Sequence, residues 1–230
     1  MTIKLYELTG KDAARPFSPH CWKTVMSLAH KGLDFEQVAT PFTAVPKVEG
    51  GLGKTVPVIV DGDRKVIDSF AIAEYLEDTY PDRPSLFGGP GGRAAARFVE
   101  QWSFMTIHPL IGGAILMDIH AMLESEDQDY FRSSRETRFG KPLEALGEGR
   151  DDRLKDFLPK LQPLRATLER QPWLGGEGPL FTDYIVFGAF QWARICSPWC
   201  ILPDDDPVAE WFARCLDLHG GIGRAVPAAA

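Results

Sequence analysis

The run Ser18-Pro19-His20-Cys21 places a hydroxyl, an imidazole and a thiol within four residues, directly ahead of apolar residues at helical spacing. The hydroxyl can cap the helix, or it can donate a hydrogen bond to an anion held at the helix N-terminus. Free N–H groups and the positive end of the dipole favour negative charge there. The thiol can act as a nucleophile or redox centre if it is exposed. The imidazole reads as a loop residue near the mouth of a site rather than as a base. The four cysteines, Cys21, Cys196, Cys200 and Cys215, include no Cys-x-x-Cys pair, and the five histidines have no zinc-like spacing, so no metal ligands are expected. Cys196, Cys200 and Cys215 read as small buried apolar residues.

Ser197-Pro198-Trp199-Cys200 repeats the pattern in a different setting. It follows an apolar helical run and precedes Pro203, so it lacks a strand-to-helix turn and reads as a loop. Asp204-Asp205-Asp206 reads as helix capping and solvated charge rather than a metal site.

The elements that must position the first run follow from periodicity. Ile3 to Leu8 alternates apolar and polar residues, as a short strand does. Trp22, Val25, Met26 and Ala29 share a helical face, and Lys31-Gly32 supplies a basic last turn with a glycine stop. Phe35 to Ala39 is a weaker second strand, and Thr43 to Gly53 reads as a loop. Val56 to Val60, Asp61-Gly62 and Val66-Ile67 read as a hairpin. Asp68 or Ser69 then caps a helix carrying Ile72, Tyr75, Leu76 and Thr79 on one face. Pro57 is out of place in a strand interior. Either the strand begins after it, or a cis bond there turns the Val56 amide and carbonyl toward a ligand.

Tyr80 to Gly92 has the proline and glycine content of a linker. Beyond it strand signals fade. Phe98, Trp102 and Met105 recur at helical spacing, Leu154 to Leu168 reads as one periodic helix, and Tyr184 to Ile195 reads as a buried one. Asp206-Pro207 opens a helix through Leu216 with a capping residue and a proline at the first position. The chain of 230 residues, 44% hydrophobic, is thus expected to form an α/β N-terminal domain and an all-α C-terminal domain. A net charge of −7 without long single-sign runs points away from nucleic acid and anionic membranes. No apolar run suits a signal peptide or reaches the roughly 18 residues of a membrane helix, so a soluble cytoplasmic protein is expected.

In this order and spacing the motifs resemble the glutathione transferase family over essentially the whole chain. The segments "SPHCWKTVMSLAHKGLDFE", "TVPVIVDGDRKVIDSFAIAEYLEDTYPDRPSLF", "SRETRFG", "GRDDRL" and "WLGG" resemble bacterial glutathione-dependent β-aryl ether cleaving enzymes and their fungal relatives. The resemblance implies a thioredoxin-like glutathione-binding domain over 1–83 and a helical domain over 93–224 that shapes a pocket for a hydrophobic, aromatic electrophile. It further implies a homodimer. Where the family carries a Ser, Thr or Asn cap three residues before the aspartate of a late helix, this chain has Leu180. Thr182 is the candidate for a shifted cap ahead of Asp183.

Glutathione attacks as the thiolate, so the protein's task is to lower the thiol pKa and orient the anion. The resemblance assigns Ser18 as the catalytic hydrogen-bond donor to that sulfur. A bond to a charged acceptor contributes roughly 1.5–3 kcal/mol, which is about one to two pKa units. Ser18-x-x-Cys21 overlays the thioredoxin Cys-x-x-Cys with its first cysteine replaced, which makes Cys21 the buried member. An exposed Cys21 would instead support a thiol transferase. For the rest of glutathione the matching positions are Val56 and Pro57 for the cysteinyl backbone and Asp68 with Ser69 for the γ-glutamyl end. Lys54 pairs with the glycyl carboxylate or is simply solvated. Trp102, Met105, His108 and Met117 fall in the pocket segment, although such a stripe also suits plain core, and Trp22 near the active turn suits an aromatic substrate. A ligandin-like carrier of aromatic compounds is the reading from another functional class.

Overall fold

A computed structural model describes residues 2–229 of the chain. In the N-terminal half β1 (Ile3–Leu8), α1 (Pro19–His30), β2 (Phe35–Thr40), β3 (Val58–Asp61), β4 (Arg64–Ile67) and α2 (Ser69–Thr79) follow in the expected order. They form a four-stranded mixed sheet of order β2-β1-β3-β4. β1 runs parallel to β2, with Ile3 opposite Phe35, and antiparallel to β3, with Leu5 opposite Ile59. This is a thioredoxin-like arrangement. β2 reads weakly because it is an edge strand that pairs only with β1, so half its side chains face water. The β3–β4 turn sits one residue beyond the Asp-Gly step: Asp61 pairs with Arg64, and Gly62 takes a positive φ of 57°.

Four expectations change. The Thr43–Gly53 loop contains a 3-10 segment, Val45–Gly50, kinked at Val48 and Glu49. The linker ends early, because α3 (Pro90–Ala114) begins at Pro90, where the missing N–H of proline has no helical partner to lose. That start also precedes residue 93, the expected beginning of the helical domain. The stretch Leu154 to Leu168 is not one helix: α7 (Arg150–Phe157), a 3-10 turn (Leu158–Leu161) and α8 (Gln162–Leu168) succeed one another where Pro159 and Pro163 interrupt the ladder.

The helical half also contains α4 (Leu116–Met122), α5 (Ser125–Phe139), α6 (Leu143–Gly147), α9 (Phe181–Cys196) and α10 (Pro207–Ala225). Asp206 caps α10 through the Val208 N–H at 2.9 Å, and its carboxylate also pairs with Arg165 at 2.6 Å. The helix runs past Leu216, with a break at Leu218–Gly221. Almost every residue of α9 is buried, and it packs against both α1 and α3, so it joins the two halves. Gly188 permits the approach: a Cβ there would lie 2.3 Å from the Pro19 carbonyl oxygen. Asp183 receives the backbone N–H groups of Leu174 (2.8 Å), Gly175 (2.9 Å) and Leu180 (3.0 Å) and the Trp211 indole N–H (2.9 Å). Thr182 is no substitute cap, since its buried hydroxyl makes no hydrogen bond among the described residues. Asp183 itself satisfies the helix entrance that Leu180 cannot. No single helix among the described residues is long and apolar enough to cross a membrane.

Candidate functional site

β1 ends at Leu8, whose carbonyl accepts the Phe17 N–H at 3.1 Å and anchors the turn that leads into α1. Trp22 secures the other side by donating its indole N–H to the Pro16 carbonyl at 2.9 Å. Between these fixings Ser18 caps α1 with an extended ψ of 127°, and its Oγ accepts the Cys21 N–H at 3.3 Å. The hydroxyl oxygen therefore serves the helix, and the hydroxyl also lies within hydrogen-bond reach of the buried Cys21 thiol. Proline at the next position leaves the first turn pre-formed. Although Ser18 is only 5% exposed, it lines a cavity of about 640 Å³ between the halves.

Cys21 lies one turn into α1 and is fully buried. Burial, aided by the neighbouring Glu7 carboxyl, pushes its thiol up to about 12, so it stays protonated at neutral pH and has no path to a disulfide partner. His20 is a helix residue, not a loop residue. It stacks on His108 with ring centroids 5.5 Å apart, and Phe104 lies 5.4 Å away. Burial, with Lys23 nearby, holds His20 well below the usual imidazole range and His108 at about 4. Both imidazoles are thus neutral at pH 7. Trp22 does not reach the cavity; it is a core residue set edge-on to Phe187.

Lys54 and Val56 line the same cavity as Ser18. Val56 precedes a cis bond to Pro57, and β3 begins only at Val58, so the proline costs no ladder hydrogen bond. No backbone hydrogen bond among the described residues uses the Val56 amide or carbonyl. Lys54 is exposed and has no acidic partner among those residues. Pro57, Asp68 and Ser69 do not line the cavity. Asp68 caps α2 through the Phe70 (2.9 Å) and Ala71 (3.0 Å) N–H groups at an unusual positive φ of 81°, and Ser69 is buried in the first turn.

The wall opposite Ser18 differs from expectation. Of the four residues expected there only His108 lines it; Trp102 and Met117 pack on the core, and Met105 points outward, 79% exposed. The wall is built instead from Phe104, Trp192 and one face of α5, with Phe131, Arg135 and Arg138 at i, i+4 and i+7. That spacing was visible in the sequence, but nothing local says that the face meets a cavity. Phe42 reaches across from the sheet domain to Phe131, with ring centroids 5.4 Å apart. The second Ser-Pro-x-Cys run forms the turn after α9: Ser197 donates to Asp118 at 2.5 Å, and Cys200 is exposed, unlike the buried Cys196 and Cys215.

Comparison with known proteins agrees with this geometry. The family description "Glutathione S-transferase, N-terminal domain" matches residues 14–84, and "Glutathione S-transferase, C-terminal domain" matches residues 94–218. The glutathione transferase GSTFuA3 of Phanerochaete chrysosporium superposes with a TM-score of 0.76 at 27% identity, covering 98% of this chain and 94% of that one. A glutathione S-transferase of Ceriporiopsis subvermispora, solved in complex with glutathione, superposes with a TM-score of 0.75 at 23% identity, covering 98% and 96%. Glutathione S-transferase U28 of Arabidopsis thaliana is 22% identical over 209 residues, covering 88% of this chain and 82% of its own. Matched through both its sheet-bearing and its helical half, the chain belongs to the glutathione S-transferase family, whose co-substrate is glutathione.

Proposed function

We propose that this protein is an enzyme that activates the glutathione thiol with the Ser18 hydroxyl and the N-terminus of α1 and directs it onto an aromatic electrophile. β-Aryl ethers are the proposed class, as the quoted segments suggest. The observation that carries the reading is Ser18 itself, the cap residue of α1, which lines the cavity at the helix N-terminus. In this reading the Ser18 O–H donates to the sulfur, which favours the anion without the serine losing its proton. Val56 offers its free amide and carbonyl to the cysteinyl backbone, with Pro57 fixing the approach, and Lys54 offers its ammonium to the glycyl carboxylate. Asp68 and Ser69 hold the γ-glutamyl end; the Asp68 carboxylate keeps one oxygen, Oδ2, outside its cap. The glutathione-binding domain spans 1–83. The electrophile-binding domain spans 93–224, and α3 begins just ahead of it at Pro90. A cytoplasmic homodimer is part of the proposal, and Phe98 and Met105, seven residues apart on α3 and exposed, supply an apolar stripe for it.

The test is the ultraviolet absorbance of bound glutathione titrated from about pH 5 to 9 in the wild type and in Ser18→Ala, where the thiol pKa is expected to rise by about one to two units in the variant. An unchanged pKa would remove Ser18 from the chemistry and favour a carrier of aromatic compounds. Cys21→Ala separates the thiol transferase reading, because a thiol that stays protonated contributes nothing to turnover, and its loss is expected to leave the rate within about twofold.

A further inference from the structure

The transferase reading leaves open what the electrophile carries, and the cavity wall bears on that question. Lys54, Arg135 and Arg138 line the cavity with positive charge, and no aspartate or glutamate among the described residues lines it. That bias runs against the molecule as a whole, which has a formal net charge of −7. The two histidines of the wall are neutral and add nothing to it. Lys23, which lies close by, is buried against Glu100 at 3.0 Å and is already neutralised.

α5 shows that the bias belongs to one face. Arg132 pairs with Glu136 and with Glu144, each at 2.9 Å, away from the cavity. Arg135 and Arg138, on the face that carries Phe131, make no ion pair among the described residues. The Arg135 guanidinium lies 4.5 Å from the Phe131 ring centroid and 5.1 Å from that of Phe42, and its one hydrogen bond goes to the neutral Ser134 hydroxyl at 2.9 Å. Burial, the largest cause, disfavours its charge, Tyr130 offsets this in part and the nearby Arg138 adds to it, and no carboxylate among the described residues pairs with it. An anion between the two guanidiniums would relieve that cost through charge-assisted, bidentate bonds.

Aromatic surface leads to the same place. Phe17, next to Ser18, lies 6.2 Å from Phe42, and Phe42 lies 5.4 Å from Phe131, so rings continue from the active turn to Arg135. We propose that the pocket selects electrophiles whose aromatic body carries a carboxylate, the ring packing along Phe42 and Phe131 and the carboxylate engaging Arg135 and Arg138. Lys54 is left to the glycyl carboxylate of glutathione, and the two arginines determine specificity for the second substrate.

Calorimetric titration of the glutathione-loaded protein at low ionic strength with biphenyl-4-carboxylate and its neutral isostere biphenyl-4-carboxamide tests the assignment without requiring turnover. The wild type is expected to bind the carboxylate at least about tenfold more tightly than the amide, and Arg135→Gln/Arg138→Gln is expected to erase that preference with little change for the amide. Arg132→Gln makes the same kind of charge change on the outer face and is expected to keep the preference. Arg138→Gln alone, at an exposed position, serves if the double variant does not fold, with a reduced preference expected. Equal affinity for the two probes, no binding of either, or a preference that survives loss of both arginines overturns the proposal. Conjugation of the neutral electrophile 1-chloro-2,4-dinitrobenzene, measured on the same preparations, reports on the transferase reading separately.

Discussion

The Asp127 carboxylate on α5 accepts the Phe42 backbone N–H at 2.7 Å and the Thr43 N–H at 2.9 Å, tying the helical half to the end of β2. Both oxygens are used, the side chain is buried, and the bond seats Phe42 against Phe131. The width of the cavity opposite Ser18 therefore depends on a contact that spans 85 residues of chain.

Asp127→Asn keeps the shape but turns an amide N–H₂ toward one of those donors and removes the charge. It is expected to cost about 2–3 kcal/mol and to raise KM for the electrophile severalfold, with the thiol pKa of bound glutathione unchanged. Denaturant unfolding and steady-state kinetics check the two effects. A KM that stays put would mean that α5 is held in place by packing alone.

Gly188 sets the seat of the active turn from below. A methyl group there meets backbone, the Pro19 carbonyl oxygen at 2.3 Å and its carbon at 3.3 Å, so α1 or α9 must move. Gly188→Ala is expected to cost about 1–3 kcal/mol despite the higher helix propensity of alanine. It is also expected to raise the bound thiol pKa, because Ser18 precedes the displaced Pro19. A more stable variant with an unchanged thiol titration would contradict the contact.

Neighbouring residues Thr182 and Asp183 are expected to behave oppositely. Asp183→Ala leaves three backbone donors and an indole without an acceptor in a buried region, a loss of about 3–5 kcal/mol. Thr182→Val replaces a buried hydroxyl that has no partner, and is expected to be neutral or stabilising within about 1 kcal/mol. Chemical denaturation of both variants settles the contrast, and a large loss in Thr182→Val would show that its hydroxyl has a partner after all.

Glu7 gives the fold a pH dependence. It is buried with Oε2 unpaired, and burial lifts its carboxyl to about 8 against a small opposing hydrogen bond from Gln37. The native state therefore holds a proton that the unfolded chain releases near pH 4.5. The stability this group contributes is complete below that value and is lost as pH rises through about 8. Glu7→Gln is expected to gain on the wild type as pH rises from about 5 to 9, by on the order of 1–3 kcal/mol at the upper end. Thermal unfolding across that range checks the sign; a gain confined to acidic pH would refute it.

Much of the fold was legible because its signals are local. The Ser18-Pro19 start of α1, the Asp68 cap of α2, the Asp206-Pro207 start of α10 and the β3–β4 hairpin each depend on residues within a few positions of one another. The errors fell where a local pattern admits two outcomes. Pro90 suits a linker as well as a helix start, and the prolines at 159 and 163 divide a run that periodicity alone joins.

The sequence by itself determined the order of elements, the helix starts and the placing of a hydroxyl and a thiol at the head of α1. Only the tertiary structure decided which of the two faces the cavity. It buried Cys21 beneath Ser18, turned Met105 outward, and set Phe131 and Arg135 across from Phe42. Helical spacing places residues on a common face, but what covers that face depends on contacts between segments far apart in the chain, here through α9 and Asp127, and no local pattern encodes those.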